Sequence, residues 1–255
     1  MSQPSVLWSE LTASELGALA KAGAIVVLPV ASMEQHGPHL GVGVDTVLCG
    51  SVCKLAAEAT VATRPVVVAP TVWVGMAEHH MAHGGTFTLD IPTYRALLMC
   101  LLKSIERDGF TKVLIVNGHG GNVTALNSFL PDFARETSLA VAVTTYFELA
   151  QSVMAPLLED QNSVLHACEV ETSLMMVLAP GSVRPERLSD ATGPNFPDSR
   201  LVLMPLVQRF RSIKSFAPSG VVGDARKASK TKGEALLAAT VDALAQVLIK
   251  GEAWG

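Results

Sequence analysis

The chain has 255 residues, of which 16% are charged and 49% apolar, and its formal net charge is −4. This composition excludes an intrinsically disordered chain, which would be poor in apolar residues and rich in charge. It also lacks the clustered basic residues with which proteins bind nucleic acid or anionic lipid. We therefore expect a small-molecule partner, with no nucleic acid and no membrane.

A single domain spanning residues 1–255 is predicted, because this length suits one large domain. No apolar stretch reaches the roughly 18 residues of a membrane span, and the first residues lack the pattern of a secretory signal, so we expect a cytoplasmic location. The low charge also favours a homo-oligomer whose copies cover part of one another's surface. The cysteines are predicted to be buried small hydrophobic residues: Cys49, Cys53, Cys100 and Cys168.

The first predicted elements are a short helix and a buried strand. Thr12 and Glu15 form a capping-box pattern that begins the helix, and Gly23 ends it. The Val- and Ile-rich run 24–30 follows at once and is typical of a strand buried on both faces of a parallel sheet. The runs 66–72 and 113–116 largely repeat this pattern.

The segment between the second and third runs predicts a helix, because apolar residues from Tyr94 to Ile105 recur at helical spacing and Gly109 follows them. Strand, helix and strand in this order lead to a parallel sheet with helices on both faces. The predicted fold class is therefore α/β, a three-layer α/β/α sandwich around a mostly parallel sheet. Later elements are a helix over 122–135 unless Pro131 ends or kinks it early, a strand over 139–145, a long loop over 182–199 and a terminal helix over 234–249.

All seven histidines lie within residues 36–166, mostly near the carboxyl ends of predicted strands, where α/β sheets bind ligands. Glu34 and His36 project to one side of an extended segment, and a loop can bring Asp45 back to them. A carboxylate and an imidazole suit Zn, Mn or Fe better than Ca. Taken by itself, this cluster is explained equally well by a solvated loop.

Two further clusters follow. In the loop 117–122, glycines allow close approach to a ligand before a helix N-terminus, and His119 is a candidate metal ligand. A phosphate loop is the rival interpretation, although the loop lacks its GK[ST] signature. In 166–173, His166 is predicted at a helix start and Glu171 follows on the helix. If Glu171 is buried with its apolar neighbours, it needs a charged partner such as a metal; otherwise it is an ordinary solvated glutamate.

These clusters resemble the creatininase family of metal-dependent amidohydrolases. The likeness is carried by LPVASMEQHGPHLGVGVD at 28–45, NGHGGN at 117–122, HACEVETS at 166–173 and GVVGDARKAS at 220–229. It implies two divalent ions, with Zn as the first choice and Mn or Fe as alternatives, in a hexameric α/β/α protein. It further implies that Glu34 and His119 hold one ion, that His36 holds the other, and that Asp45 bridges them. By the same resemblance, His166 is a catalytic histidine, and Gly120 and Asn122 lie at the substrate.

The chain departs from creatininase itself at Gly121, where that enzyme has a metal-binding glutamate in a motif similar to NGHYEN. We assign the missing ligand, and a catalytic role, to Glu171. Creatininase also closes a tryptophan-bearing flap over creatinine, whereas the tryptophans here are Trp8, Trp73 and Trp254, which argues against creatinine as the substrate.

His79, His80 and His83 fall where the family has a substrate-facing loop, and His79 is assigned to substrate binding. A metal pair of His79 and His83 and a plain surface loop are the alternatives.

The predicted activity is hydrolysis of a C–N amide bond, cyclic amides included, in a small polar molecule. A water bridging the two metals would attack the carbonyl, and His166 would pass a proton to the leaving nitrogen. The alternatives on the same site are hydrolysis of a sugar-derived ketone or lactone and trimming of a modified peptide. A non-catalytic scaffold is disfavoured because the expected ligands are present.

Overall fold

The computed structural model describes residues 5–159, 161–196 and 209–254. Within them lies a sheet of parallel strands, which are β1 Ile25–Val30, β2 Val66–Val68, β3 Lys112–Asn117 and β4 Ala140–Thr145. Their order across the sheet is β2-β1-β3-β4, so the two central strands are β1 and β3. Together with the helices on both faces, this confirms the predicted α/β fold.

Alternate residues of the central strands enter two separate hydrophobic cores, as the period of a strand requires. Ile25 and Val27 pack with α2, α7 and α8, whereas Val26 and Leu28 pack with α3 and α4. The described helices are α1 Ala13–Lys21, α2 Val44–Thr60, α3 Ile91–Arg107, α4 Val123–Glu136, α5 Tyr146–Leu149, α6 Gln151–Met154, α7 Glu169–Leu178 and α8 Lys230–Lys250. None of them is long and apolar enough to cross a membrane.

The helix boundaries follow from local chemistry. The capping box is confirmed, since Thr12 and Glu15 each bond the other's backbone N–H at the start of α1. Pro131 lies inside α4 without ending it. The carbonyl that Pro131 leaves without its helical partner belongs to Asn127, and both residues are exposed, so water can satisfy that oxygen.

Several sequence predictions need correction. The strand expected over 66–72 ends at Val68, because Pro70 cannot donate to a ladder and Val72 makes only an isolated bridge to Val30. The terminal helix begins earlier than expected, at Lys230, where Ser229 caps it. Cys100 is exposed, although the other three cysteines are buried as predicted.

The expected loop over 182–199 also contains short helical turns. A 3₁₀ helix over Pro180–Ser182 reaches its first residue, and another follows at Pro185–Asp190. Residues 197–199 of that prediction lie outside the described residues.

Candidate metal centre

The three sequence clusters meet at the carboxyl edge of the sheet. Along the chain β1 is followed by β2, which lies on one side of β1 in the sheet, and then by β3, which lies on its other side. The crevice between β1 and β3 is therefore a topological switch point. Glu34 and His36 follow β1, and His119 follows β3. Asp45 lies in the first turn of α2 and Glu171 in the first turn of α7.

The five side chains are buried, with exposures from 1% for Glu34 to 6% for Glu171. Two groups of ligand atoms form among them, and within each group the atoms lie within 4.8 Å of one another. The first group is Glu34, Asp45 and His119, and the second is His36, Asp45 and Glu171. The same two groups were predicted from the sequence, and the structure brings their members together.

Asp45 belongs to both groups because its two oxygens face opposite ways. Its Oδ2 lies 3.1 Å from Nδ1 of His119, and its Oδ1 lies 3.1 Å from Nε2 of His36. The other carboxylates complete the two groups: Glu34 Oε2 is 3.1 Å from His119 Nδ1, and Glu171 Oε1 is 3.9 Å from His36 Nε2. A single carboxylate therefore stands between the two groups of ligand atoms.

Each histidine is oriented by a backbone carbonyl behind it. His36 Nδ1 lies 3.0 Å from the carbonyl oxygen of Glu34, and His119 Nε2 lies 3.2 Å from that of Met76. A carbonyl can only accept, so these nitrogens carry hydrogens, and the opposite nitrogens face the carboxylates, where each can give up a proton and donate its lone pair to a metal. This arrangement is typical of metal-ligating histidines.

The donor atoms fit divalent cations. Glu34 Oε2, His36 Nε2 and Asp45 Oδ2 are buried, and although each lies 3.1 Å from an ionisable neighbour, none makes a hydrogen bond of good geometry with a described residue. A buried polar atom without a partner is costly, and a bound cation would remove that cost. Carboxylate oxygens mixed with imidazole nitrogens are the ligand set of Zn, Mn and Fe.

In the metal-free protein, protons on the histidines compensate the charges of the same carboxylates. Burial lowers the pKa of His119, but Glu34 and Asp45 outweigh burial and raise it to about 10. Burial raises the pKa of Asp45, but His36 and His119 outweigh it and hold that pKa below its ordinary value. The buried carboxylates are thus stabilised by nearby positive charge, which a metal would supply in place of the imidazolium protons.

His166 lies beside both groups but not at a helix start as predicted. It pairs with Val222 in an isolated bridge, and α7 begins three residues later. Its Nε2 lies 2.8 Å from the backbone carbonyl oxygen of Gln35 and 2.9 Å from the Gln35 side-chain nitrogen. Because the two hydrogens of that amide can go to His80 Nδ1 and the Gly220 carbonyl oxygen, the ring hydrogen of His166 is assigned to Nε2. Its Nδ1 faces Glu34 Oε1 at 3.6 Å. Nδ1 is therefore the nitrogen available for acid/base chemistry, although His166 also forms a third group of possible ligand atoms with Glu34 and His36.

His80 is a site residue that the sequence analysis did not single out. It is buried, its Nε2 lies 3.2 Å from Glu34 Oε1, and its Nδ1 lies 3.0 Å from Gln35 Nε2. His79, which the sequence assigns to substrate binding, is half-buried and stacks on His119 with ring centroids 5.6 Å apart. The histidines sit on a 3₁₀ helix, Glu78–His83, and not in an open loop. Neither His79 nor His83 belongs to a group of three or more ligand atoms among the described residues.

The loop after β3 is held by Asn122. Its Oδ1 accepts from the backbone N–H of Met76, and its Nδ2 lies 3.2 Å from both the carbonyl oxygen of Ala31 and Oδ1 of Asn117. Its side-chain donors are thus used within the protein. Substrate contacts by Asn122 and Gly120 stay predictions, and the position of His119 among the carboxylates favours the metal interpretation of this loop over a phosphate loop.

Gly121 stands where a side chain has no room. A Cβ there would lie 2.3 Å from the Met76 carbonyl oxygen, 2.4 Å from His119 Nε2 and 2.7 Å from His79 Cε1. These distances are far inside van der Waals contact. A ligand cannot be supplied from this position, which leaves Glu171 as the acidic residue facing His36 and Asp45 from the other side.

Comparison with known proteins gives one family. Residues 9–248 match the family described as creatininase, creatinine amidohydrolase. The mycofactocin precursor peptide peptidase of Mycolicibacterium smegmatis is 30% identical over 225 residues, 87% of this chain and 83% of the relative. The creatinine amidohydrolase of Pseudomonas putida is 28% identical over 261 residues, 96% of each chain. The 3-dehydro-scyllo-inosose hydrolase of Thermotoga maritima is 26% identical over 204 residues, 77% of this chain and 64% of the relative.

Solved structures agree with these sequence relatives. A crystal structure of creatinine amidohydrolase superposes with a TM-score of 0.80 at 26% identity, covering 98% of each chain. A creatininase structure described as the Mn form gives 0.76 at 25% identity, and a mutant creatininase of Zn-Zn type gives 0.77 at 26%. Each of these two covers 99% of this chain and is itself covered completely, at 100%.

Proposed function

The chain belongs to the creatininase family of amidohydrolases, and on that premise we propose that it hydrolyses a non-peptide C–N amide bond, cyclic amides included, in a small polar molecule. The observation that carries this proposal is the pair of ligand groups that share Asp45. A shared carboxylate between two sets of nitrogen and oxygen donors is suited to holding two cations side by side.

Two divalent ions would be held, one by Glu34, Asp45 and His119 and the other by His36, Asp45 and Glu171. Zn is our first choice, with Mn or Fe as alternatives, because solved relatives are described as Mn and Zn-Zn forms. Ions bound there would lower the pKa of a water molecule and polarise the substrate carbonyl.

His166 would move the proton. Burial and the nearby His36 lower the pKa of His166 well below its ordinary value, so the ring is neutral at pH 7. Its Nδ1 lone pair can then accept a proton from the attacking water. The imidazolium formed can deliver that proton to the leaving nitrogen, which would otherwise depart as an unstable anion. Gln35 keeps Nδ1 turned towards the site through its carbonyl contact with Nε2.

Two other substrate classes are supported by particular relatives. The peptidase of Mycolicibacterium smegmatis favours the C–N bond of a modified peptide, and the inosose hydrolase of Thermotoga maritima favours a sugar-derived ketone or lactone. The tryptophan-bearing flap of creatininase has no counterpart in Trp8, which packs on Phe110, or in Trp254, whose indole N–H donates to the Ala140 carbonyl oxygen, whereas Trp73 is exposed beside Phe87.

The test combines metal analysis with a substrate panel. Protein purified without chelator is expected to contain about two transition-metal ions per chain and to release amine or ammonia from one of a panel of small amides. Asp45→Asn keeps the shape of the bridging side chain and should lose both ions, whereas Asp242→Asn on α8 should keep them. Full activity in a metal-free protein would refute the proposal. If the protein released acid only from lactones, or cleaved only peptides, the amide substrate class would be wrong and that alternative would take its place.

We further propose that the protein is a cytoplasmic homo-oligomer, a hexamer by family resemblance, built from one domain per chain. The low charge noted above supports an assembly whose copies cover apolar surface. Light scattering coupled to size-exclusion chromatography should give a mass near six chains, and a monomer would contradict this part of the proposal.

A further inference from the structure

Ala167 has an unusual backbone conformation beside the metal centre. Among the described residues it is the one residue other than glycine with a positive φ, at 53°. In this left-handed region the Cβ of an L residue crowds the following carbonyl oxygen, so side chains larger than glycine avoid it. Such a conformation persists only where the surroundings hold it, and it often marks a functional position.

The surroundings of Ala167 do hold it from both directions. Before it, His166 exchanges two backbone hydrogen bonds with Val222, at 3.1 and 2.8 Å. Its own methyl group is fully buried in a small cluster with Ala191, Val221 and Ala225. The left-handed residue then turns the chain from this bridge into α7, which begins two residues later at Glu169.

The turn aims the backbone N–H of Ala167 at Glu171. The nitrogen donates to Oε2 of that carboxylate at 2.5 Å. In an ordinary capping box the acidic side chain in the first turn accepts from the N-cap residue itself, which here is Cys168. The donor is instead the residue before the cap, and this shift of one residue is made possible by the positive φ.

Holding one oxygen of Glu171 determines where the other points. With Oε2 on the Ala167 amide, Oε1 faces Nε2 of His36 at 3.9 Å and belongs to the ligand group of His36 and Asp45. A hydrogen bond from a backbone amide also limits the rotation of the carboxylate. Contacts of this kind orient a ligand and strengthen metal binding without touching the metal.

We propose that Ala167 is a positioning residue for the second cation: its left-handed backbone presents the N–H that fixes Glu171, so that Oε1 is directed towards the position shared with His36 and Asp45. This inference rests on the proposed role of Glu171 as a metal ligand. It assigns a function to a residue whose side chain contacts neither substrate nor ion.

The test compares substitutions that treat the backbone differently. Ala167→Val keeps the N–H but its branched Cβ opposes the positive φ, whereas the conservative Ala167→Gly keeps the N–H and permits that φ. Ala191→Val adds the same two methyl groups to the same cluster from a residue with φ of −89°. Dissociation constants for Mn²⁺ are measured by calorimetry on metal-stripped protein, and circular dichroism checks the fold.

Ala167→Val is expected to weaken binding of one of the two ions by about ten- to a hundredfold. Ala167→Gly and Ala191→Val should each bind Mn²⁺ with a dissociation constant within about threefold of the wild-type value. Equal affinities in Ala167→Val and wild type would overturn the inference, as would an equal loss in Ala191→Val, which would assign the effect to packing. If Ala167→Val does not fold, Ala225→Gly is added to make room and the same comparison is made.

Glu171→Ala distinguishes a failure of the ligand role of Glu171 from a failure of the positioning role of Ala167. If this variant keeps both ions, the proposed ligand role of Glu171 fails. If it loses one ion while Ala167→Val binds both normally, the ligand role stands and only the positioning role fails.

Discussion

Replacing Glu171 by alanine tests the part of the site in which this chain differs from creatininase. Its carboxylate is buried in the first turn of α7, with Oε1 3.9 Å from His36 Nε2 and Oε2 on the Ala167 amide. Without it, the second of the two proposed cation positions would keep only His36 and Asp45 as protein ligands. The first would keep Glu34, Asp45 and His119.

The expected result is therefore one ion per chain instead of two. Turnover should fall by orders of magnitude, because a single ion cannot both activate the attacking water and polarise the substrate carbonyl. In the metal-free protein the Ala167 N–H loses its acceptor, which costs about 1–3 kcal/mol of the free energy of unfolding. A solvated surface glutamate would instead change stability by no more than about 0.5 kcal/mol.

Metal content by mass spectrometry and unfolding by denaturant are the two assays. Glu169→Ala is the matched control, since Glu169 is a second buried glutamate in the same helical turn and contacts Lys232 instead of the ligands. It should lower stability and keep both ions. A count of two ions in Glu171→Ala would refute the assignment of this residue as a ligand.

Three further predictions concern neighbouring residues. Glu34 and Asp45 outweigh burial and raise the pKa of His119 to about 10 in the folded, metal-free protein. The charged ring therefore adds to the free energy of unfolding in full below pH 6.5, the ordinary pKa, and this addition is lost as the pH rises through 10. Metal binding must displace the proton, so affinity should rise by about tenfold per pH unit for each proton released, as calorimetry in buffers of different ionisation enthalpy can measure. Gly121→Glu should not restore the ion lost in Glu171→Ala, because its Cβ would lie 2.3 Å from the Met76 carbonyl oxygen, and recovery of a second ion in the double variant would contradict the steric argument. His80→Ala should weaken metal binding by about ten- to a hundredfold through the loss of its contact with Glu34, whereas His83→Ala should not, and equal affinities in the two variants would argue against a role for His80.

The layers of the fold were accessible from the sequence because buried parallel strands consist of unbroken apolar runs. The ends of the strands and helices were harder to predict. Pro70 shortens β2 although Val72 continues the apolar pattern, and α8 begins in a polar turn after Ser229 that carries no apolar periodicity. Cys100 lies on the solvent side of α3, where its neighbours Leu98 and Leu102 face the core, and residue type alone did not distinguish them.

The ligand groups were predictable because each follows a strand end or begins a helix and carries a family motif. His80 was missed because it stands beside His79, and only the path of the 3₁₀ helix decides which of the two rings enters the site. The conformation of Ala167 has no sequence signature, since alanine is ordinarily found at negative φ. It arises from the bridge to Val222 on one side and the start of α7 on the other.

The five proposed ligands come from distant parts of the chain, and an unfolded chain cannot present them together. The ions would therefore bind the native state alone, and by mass action an ion at a hundred times its dissociation constant adds about 2.7 kcal/mol to the stability of the fold. A protein of ordinary marginal stability gains a large fraction of its total in this way. In a cell starved of these metals, quality-control proteases would encounter more unfolded chains, so the abundance of this protein would track metal supply even when its transcription does not.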